Sequence, residues 1–210
     1  MVLVRMTQMT YFSLFSLPRH LKIDLAALEK AFYAQSRRLH PDRFAARPAA
    51  EQADALARSS ALNDAYRTLR DPIARTEYLL GLEGVQLEEQ SRQATDAARA
   101  SGGEKKQVAP PDLLEEAFEL NMQLEEMRFA KQAGEKDESI EQELQTARSR
   151  YSGMLDDLQR QLEALWARWD AAEDANDDAD RAAAREAMVA LLNRRSYIRN
   201  LVRDVNAALE

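Results

Sequence analysis

Residues 25–44, LAALEKAFYAQSRRLHPDRF, decide how the chain reads. Leu25, Leu28, Phe32 and Leu39 recur at helical spacing along one face. Asp24 precedes them as an N-cap, a short carboxylate that accepts from the first free amides of a helix. Pro41 ends the helix, because the residue before a proline is pushed out of helical geometry. The opposite face is basic, with Lys30, Arg37 and Arg38, and the chain then runs directly into His40-Pro41-Asp42 and Arg43. A polar loop to about residue 48 leads to a second long helix over 49–70, with Leu62, Tyr66 and Leu69 inward. Asp71-Pro72 starts a third helix as N-cap followed by proline at the first helical position. Gly81 is its expected C-cap. His40 and Asp42 are thus held in a proline-fixed turn between two long helices, with cations on the helix that leads into it.

Composition narrows the class. The 210 residues suit one or two domains, and 45% hydrophobic with 31% charged residues supports a buried core under a hydrated surface. Six Gly and six Pro are too few for a turn-dense β sandwich, and strong helix formers dominate. The expectation is therefore all-α. The absence of cysteine excludes disulfides, thiolate metal sites and cysteine nucleophiles. No apolar run reaches the length of a membrane span, and the first residues are too short and weakly apolar for a secretory signal. A cytoplasmic location fits.

Catalysis finds little support. His20 and His40 are the only histidines, and no metal-ligand spacing, phosphate-cradling glycine loop or nucleophile elbow accompanies them. The carboxylates are spread along helices. No enzyme, metal site or cofactor is expected. His20 reads as a structural or solvated side chain ahead of Asp24, and Trp166 and Trp169 as core or core edge. Charge divides the chain: residues 11–82 carry 11 basic and 8 acidic side chains, residues 83–210 carry 17 and 28. A basic front and an acidic back point to two domains with different partners. The lack of a dense basic stripe argues against nucleic acid.

Residues 83–111, with Ser101-Gly102-Gly103 and Pro110-Pro111, read as a partly flexible linker. Residues 112–210 read as three helices. Asp112 and Glu115 have capping-box spacing, and the acidic stretch 173–180 is the expected last turn. One stripe of the first helix is Leu113, Ala117, Leu120, Leu124 and Met127. The second helix carries Leu144, Ala147, Tyr151, Met154, Leu158, Leu162, Leu165 and Trp169. The third carries Leu191, Ile198, Leu201 and Val205. An antiparallel three-helix bundle buries all three stripes. The first helix has a further stripe on another face, Leu114, Phe118, Met122 and Phe129, flanked by Glu115, Glu119 and Glu126. That face suits packing within the chain, a second copy or a bound partner.

The His40-Pro41-Asp42 turn, followed by Asn63-Asp64-Ala65-Tyr66-Arg67-Thr68-Leu69-Arg70-Asp71-Pro72 and then Arg75 and Tyr78, resembles a J-domain over residues 11–82, after a tail of residues 1–10. The opening Tyr11-Phe12-Ser13-Leu14-Phe15-Ser16-Leu17-Pro18 and the block 71–80, DPIARTEYLL, are similar to the HscB family, J-proteins of iron–sulfur cluster biogenesis. The resemblance implies a J-domain helical hairpin joined to a C-terminal three-helix domain. It also implies a co-chaperone that stimulates a DnaK/HscA-type ATPase and delivers an IscU-type scaffold to it. By the same resemblance His40, Pro41 and Asp42 trigger hydrolysis, while Lys30, Arg37, Arg38 and Arg43 make electrostatic contacts. The scaffold-binding positions align with Leu114, Phe118, Glu119, Met122, Glu126 and Tyr197. Glu115 stands where the family usually has an apolar residue, and Met122 where an acidic one is usual. The alternatives are a general J-protein with another client or a weakly homodimerising bundle, and a coiled-coil adaptor in which the turn is incidental.

Overall fold

The structure, a computed structural model, describes residues 10–87, 110–134 and 136–210. The expected tail before Thr10 and the glycine-containing part of the linker lie outside the described residues. Among the described residues there are seven α-helices: α1 Tyr11–Leu14, α2 Leu25–Leu39, α3 Ala49–Arg70, α4 Pro72–Leu82, α5 Leu114–Ala133, α6 Glu138–Ala175 and α7 Asp178–Leu209. Short 3-10 turns occupy Pro41–Arg43 and Pro111–Leu113. The fold is all-α, as the composition requires.

Two units divide the chain, Met1–Val85 with Trp166–Ala182, and Gln86–Leu165 with Ala183–Glu210. In the first, α2 and α3 form the hairpin, and α1 and α4 pack on α3. Leu28, Leu62, Leu69, Leu79 and Leu80 are buried there, each stabilising the unit by roughly 1.5–3 kcal/mol of apolar transfer. Phe32 and Tyr66 stack at 4.2 Å across the hairpin. Leu25 departs from expectation: it is half exposed in the first turn of α2, where the helix has only just begun and its partner face is incomplete. Asp24 caps α2 by accepting from the Ala26 and Ala27 amides at 2.9 and 3.1 Å, and Asp71 caps α4 through the Ala74 amide at 2.7 Å.

The end of α4 lies beyond Gly81. The helix continues to Leu82, and Gly84 takes the left-handed conformation at φ 79°. Gly84 and Val85 donate back to the Gly81 and Leu80 carbonyls, both at 3.0 Å. That is a Schellman closure, in which the residue with positive φ follows the cap.

Segment 166–182 joins the first unit through polar and aromatic contacts. The Asp170 carboxylate accepts from the Leu21 and Lys22 amides at 2.7 and 2.9 Å. His20 Nε2 lies 2.9 Å from Asp174 Oδ1, so this histidine is tied to a carboxylate. The Arg75 guanidinium sits over the Trp166 ring at 5.9 Å and donates to the Leu69 carbonyl. Trp166 and Trp169 are buried.

In the second unit, Leu113, Leu120, Leu124 and Met127 pack with Leu144, Tyr151 and Leu158 and with Ile198, Leu201 and Val205. The three expected stripes meet here over part of their length, while Trp169, expected at the end of the second stripe, belongs to the first unit. The first turn of α5 forms differently from the capping box. Leu113 precedes the helix without a side-chain cap, and Asp112 pairs instead with Arg194 of α7 at 2.7 Å. A guanidinium offers two fixed donors, more than one backbone amide does. Only Asn176 and Asp177 separate α6 from α7. Asn176 is left-handed at φ 52°, and Asp177 caps α7 through the Ala179 and Asp180 amides. The acidic stretch therefore spends most of its length in helices, held by Arg168–Asp180 and Arg181–Glu173 pairs.

Candidate functional site

The turn after α2 is built by its own backbone. His40 leaves helical geometry at φ −59° and ψ 131°, and residues Pro41–Arg43 close a 3-10 turn through the Arg43 amide and the His40 carbonyl at 3.0 Å. The Asp42 amide donates to His40 Nδ1 at 3.3 Å, and Asp42 Oδ2 lies 3.4 Å from the same nitrogen. An Nδ1 that accepts leaves the proton of the neutral ring on Nε2. The His40 side chain is 57% exposed and that of Asp42 87%, so both ring and carboxylate are open to a partner.

The cations are arranged in two directions. Lys30 and Arg37 are seven residues apart and share a face of α2. Arg43 reaches back to the Arg37 carbonyl at 3.4 Å, bringing its guanidinium to the same end of the helix. Arg38 lies about 100° round the helix from Arg37 and lines a cavity of about 760 Å³ with Tyr11, Leu14, Leu39, Arg58 and Leu62. The structure thus gathers Lys30, Arg37 and Arg43 beside the turn and sets Arg38 toward the groove.

Residues away from the turn fix its supports. Tyr78 stacks on Tyr11 with ring centres 4.3 Å apart, and its hydroxyl accepts from the Tyr11 amide at 2.9 Å. Burial raises the Tyr78 pKa, which keeps this hydroxyl neutral. The Gln35 amide donates to the Leu14 carbonyl at 2.7 Å, tying α1 to α2. Burial lowers the Arg75 pKa, opposed by the charges of Asp170 and Asp71. Sequence patterning missed Asp170. Its signal was a carboxylate four residues after Trp166 on a face otherwise apolar.

On the second unit the two stripes of α5 separate cleanly. Leu113, Ala117, Leu120, Leu124 and Met127 are buried, whereas Leu114, Phe118, Met122 and Phe129 are at least half exposed. Glu126 is exposed beside them. Glu119 lines a groove of about 420 Å³ with Glu116, Arg150 and Tyr151, on the side of α5 nearer α6. Tyr197 on α7 is partly buried against the core, and burial raises its pKa. Of the expected scaffold-binding set, Leu114, Phe118, Met122 and Glu126 therefore form one open strip, Glu119 borders a groove beside it, and Tyr197 is more enclosed. Among the described residues, no group of three or more His, Cys, Asp or Glu side chains is placed to hold a metal ion, and no helix is long and apolar enough to cross a membrane.

No protein-family model matches the chain. Solved structures do. Chaperone HscB from Vibrio cholerae is 26% identical, with a TM-score of 0.59 over 95% of this chain and 96% of that one. This likeness supports identification of the chain with the HscB family. Human co-chaperone HscB, 21% identical, shares the fold with a TM-score of 0.55 over 96% of this chain and 82% of its own. The likeness supports a co-chaperone role.

Proposed function

We propose that this member of the HscB family stimulates the ATPase of a DnaK/HscA-type chaperone and delivers an IscU-type iron–sulfur scaffold to it, in the cytoplasm. One observation carries the reading: an exposed His40–Asp42 turn with adjacent cations in one unit, and an exposed apolar strip with acidic flanks in the other. On this reading residues 11–82 face the chaperone and residues 112–210 hold the scaffold. Lys30, Arg37 and Arg43 steer the turn onto an acidic surface, an effect that accelerates encounter more than it strengthens the final complex. Arg38 makes a contact of its own from the groove side. His40, Pro41 and Asp42 then supply a rigid polar contact that favours the hydrolysis-competent state of the chaperone. A ligand shifts such an equilibrium only by its differential affinity for the two states. The bond-breaking chemistry belongs to the chaperone.

On the scaffold side, Leu114, Phe118 and Met122 supply the apolar anchor. Glu119, Glu126 and Tyr197 supply the polar rim, an arrangement typical of a protein interface. Calorimetric titration with the IscU-type scaffold of the same organism tests the reading. Saturable one-to-one binding in the micromolar range is expected. No binding to a folded scaffold, apo or cluster-loaded, refutes scaffold delivery.

A further inference from the structure

The open strip of α5 continues beyond the positions assigned to scaffold binding. Phe129 is 67% exposed, as much as Phe118. From Leu114 to Phe129 is fifteen residues, about 22 Å at the helical rise. With Leu114 at zero and 100° per residue, Phe118, Phe129 and Met122 fall at about 40°, 60° and 80°. Single exposed apolar residues are ordinary on a protein surface, but four within one narrow sector are not.

Between Met122 and Phe129 the strip is crossed by Glu125, at about 20°. Arg128 pairs with it at 2.5 Å. The carboxylate is thus drawn toward one edge, and the apolar sector stays continuous past it. The opposite edge keeps its charge: Glu115, Glu126 and Glu119 lie at about 100°, 120° and 140°. The apolar strip therefore has unlike edges, acidic along one side and neutralised along the other.

We propose that Phe129 is a further anchor for the scaffold. The scaffold would then present an apolar trough of about 22 Å, with cationic side chains along the edge that meets Glu115, Glu119 and Glu126. The inference rests on the proposed scaffold-binding role of this face and adds its length and orientation. Charge disfavours a second copy docked antiparallel on this face. Two copies docked antiparallel through this face would set their acidic edges on the same side, where they repel.

The test is calorimetric titration of the full chain with the IscU-type scaffold, comparing wild type, Phe129→Ala, Phe129→Leu and Phe118→Ala, with helical content followed by circular dichroism. Phe129→Ala should weaken binding at least tenfold at unchanged helicity and stoichiometry, and Phe129→Leu should recover most of the loss. Glu126→Lys should reduce the salt dependence of binding, which Phe129→Ala should leave intact. If Phe129→Ala binds within twofold of wild type while Phe118→Ala is weakened, the extension is wrong and the assigned scaffold face stands. If wild type binds and neither phenylalanine matters, or if wild type does not bind, the face itself is misassigned and the extension falls with it. A concentration-dependent mass abolished by Phe129→Ala, with scaffold affinity unchanged, would give the strip to a second copy and overturn the proposal.

Discussion

Replacing Asp170 by alanine should unfasten residues 166–182 from the loop that precedes α2. Its carboxylate accepts from the Leu21 and Lys22 amides at 2.7 and 2.9 Å. Leu21 is fully buried, so its amide would lose its acceptor with no water to replace it, at about 2–3 kcal/mol. Lys22 is exposed, and its amide would be rehydrated at under about 1 kcal/mol. Arg75 would also lose a nearby charge that opposes its desolvation. Against these losses stands the relief of a buried carboxylate, whose pKa burial raises above the usual range despite both amide donors. The net loss should be about 2–3 kcal/mol.

Both tryptophans of the chain lie in this segment, so tryptophan fluorescence during urea unfolding follows the first unit selectively. A loss below about 0.5 kcal/mol, the size of an ordinary surface change, would refute the reasoning. The sign of the pH dependence provides a second check. A carboxyl with a raised folded pKa contributes most below its unfolded pKa of about 3.9, and that contribution falls as pH rises through the folded value. The advantage of Asp170 over Asp170→Asn should therefore shrink from about pH 4 toward neutrality. An advantage that grows over that range would show that the carboxylate is held by charge and not penalised by burial.

Further outcomes test the surfaces and their supports. His40→Gln should abolish stimulation of a DnaK/HscA-type ATPase while leaving scaffold affinity unchanged; single-turnover ATP hydrolysis decides it, and retained stimulation removes the turn from the mechanism. Leu114→Ala combined with Phe118→Ala should weaken scaffold binding by about 2–4 kcal/mol, the range of interface anchors, and an unchanged titration of the folded variant would show that the strip is not the binding face. Tyr78→Phe keeps the stacking on Tyr11 but removes the acceptor for its amide, so urea unfolding should show a loss of about 1 kcal/mol. No measurable loss would mean that water replaces the hydroxyl.

Most helix boundaries were legible because they are local. Asp24, Asp71 and Pro41 act within one turn of where they stand, through their own carboxylates or ring. The failures were local competitions decided elsewhere. Asp112 had capping-box spacing with Glu115, but Arg194, distant in sequence, offered it a stronger partner. Gly81 had the residue type of a C-cap, but the helix continued to Leu82 and the left-handed residue fell at Gly84.

The same division holds for the candidate surfaces. Periodicity alone separated the buried stripe of α5 from the Leu114–Phe118 stripe, since angular position around a helix follows from residue number. The order of residues also placed His40, Pro41 and Asp42 between two helices. Tertiary structure decided what shares a neighbourhood across the chain. It tied His20 to Asp174 and Asp170 to the Leu21 and Lys22 amides, and it turned Arg38 into a groove with Leu14 and Leu62. It enclosed Tyr197 more than Phe118. Helical periodicity carries no information about these pairings, because they depend on how separate helices pack and on which buried polar group reaches a partner first.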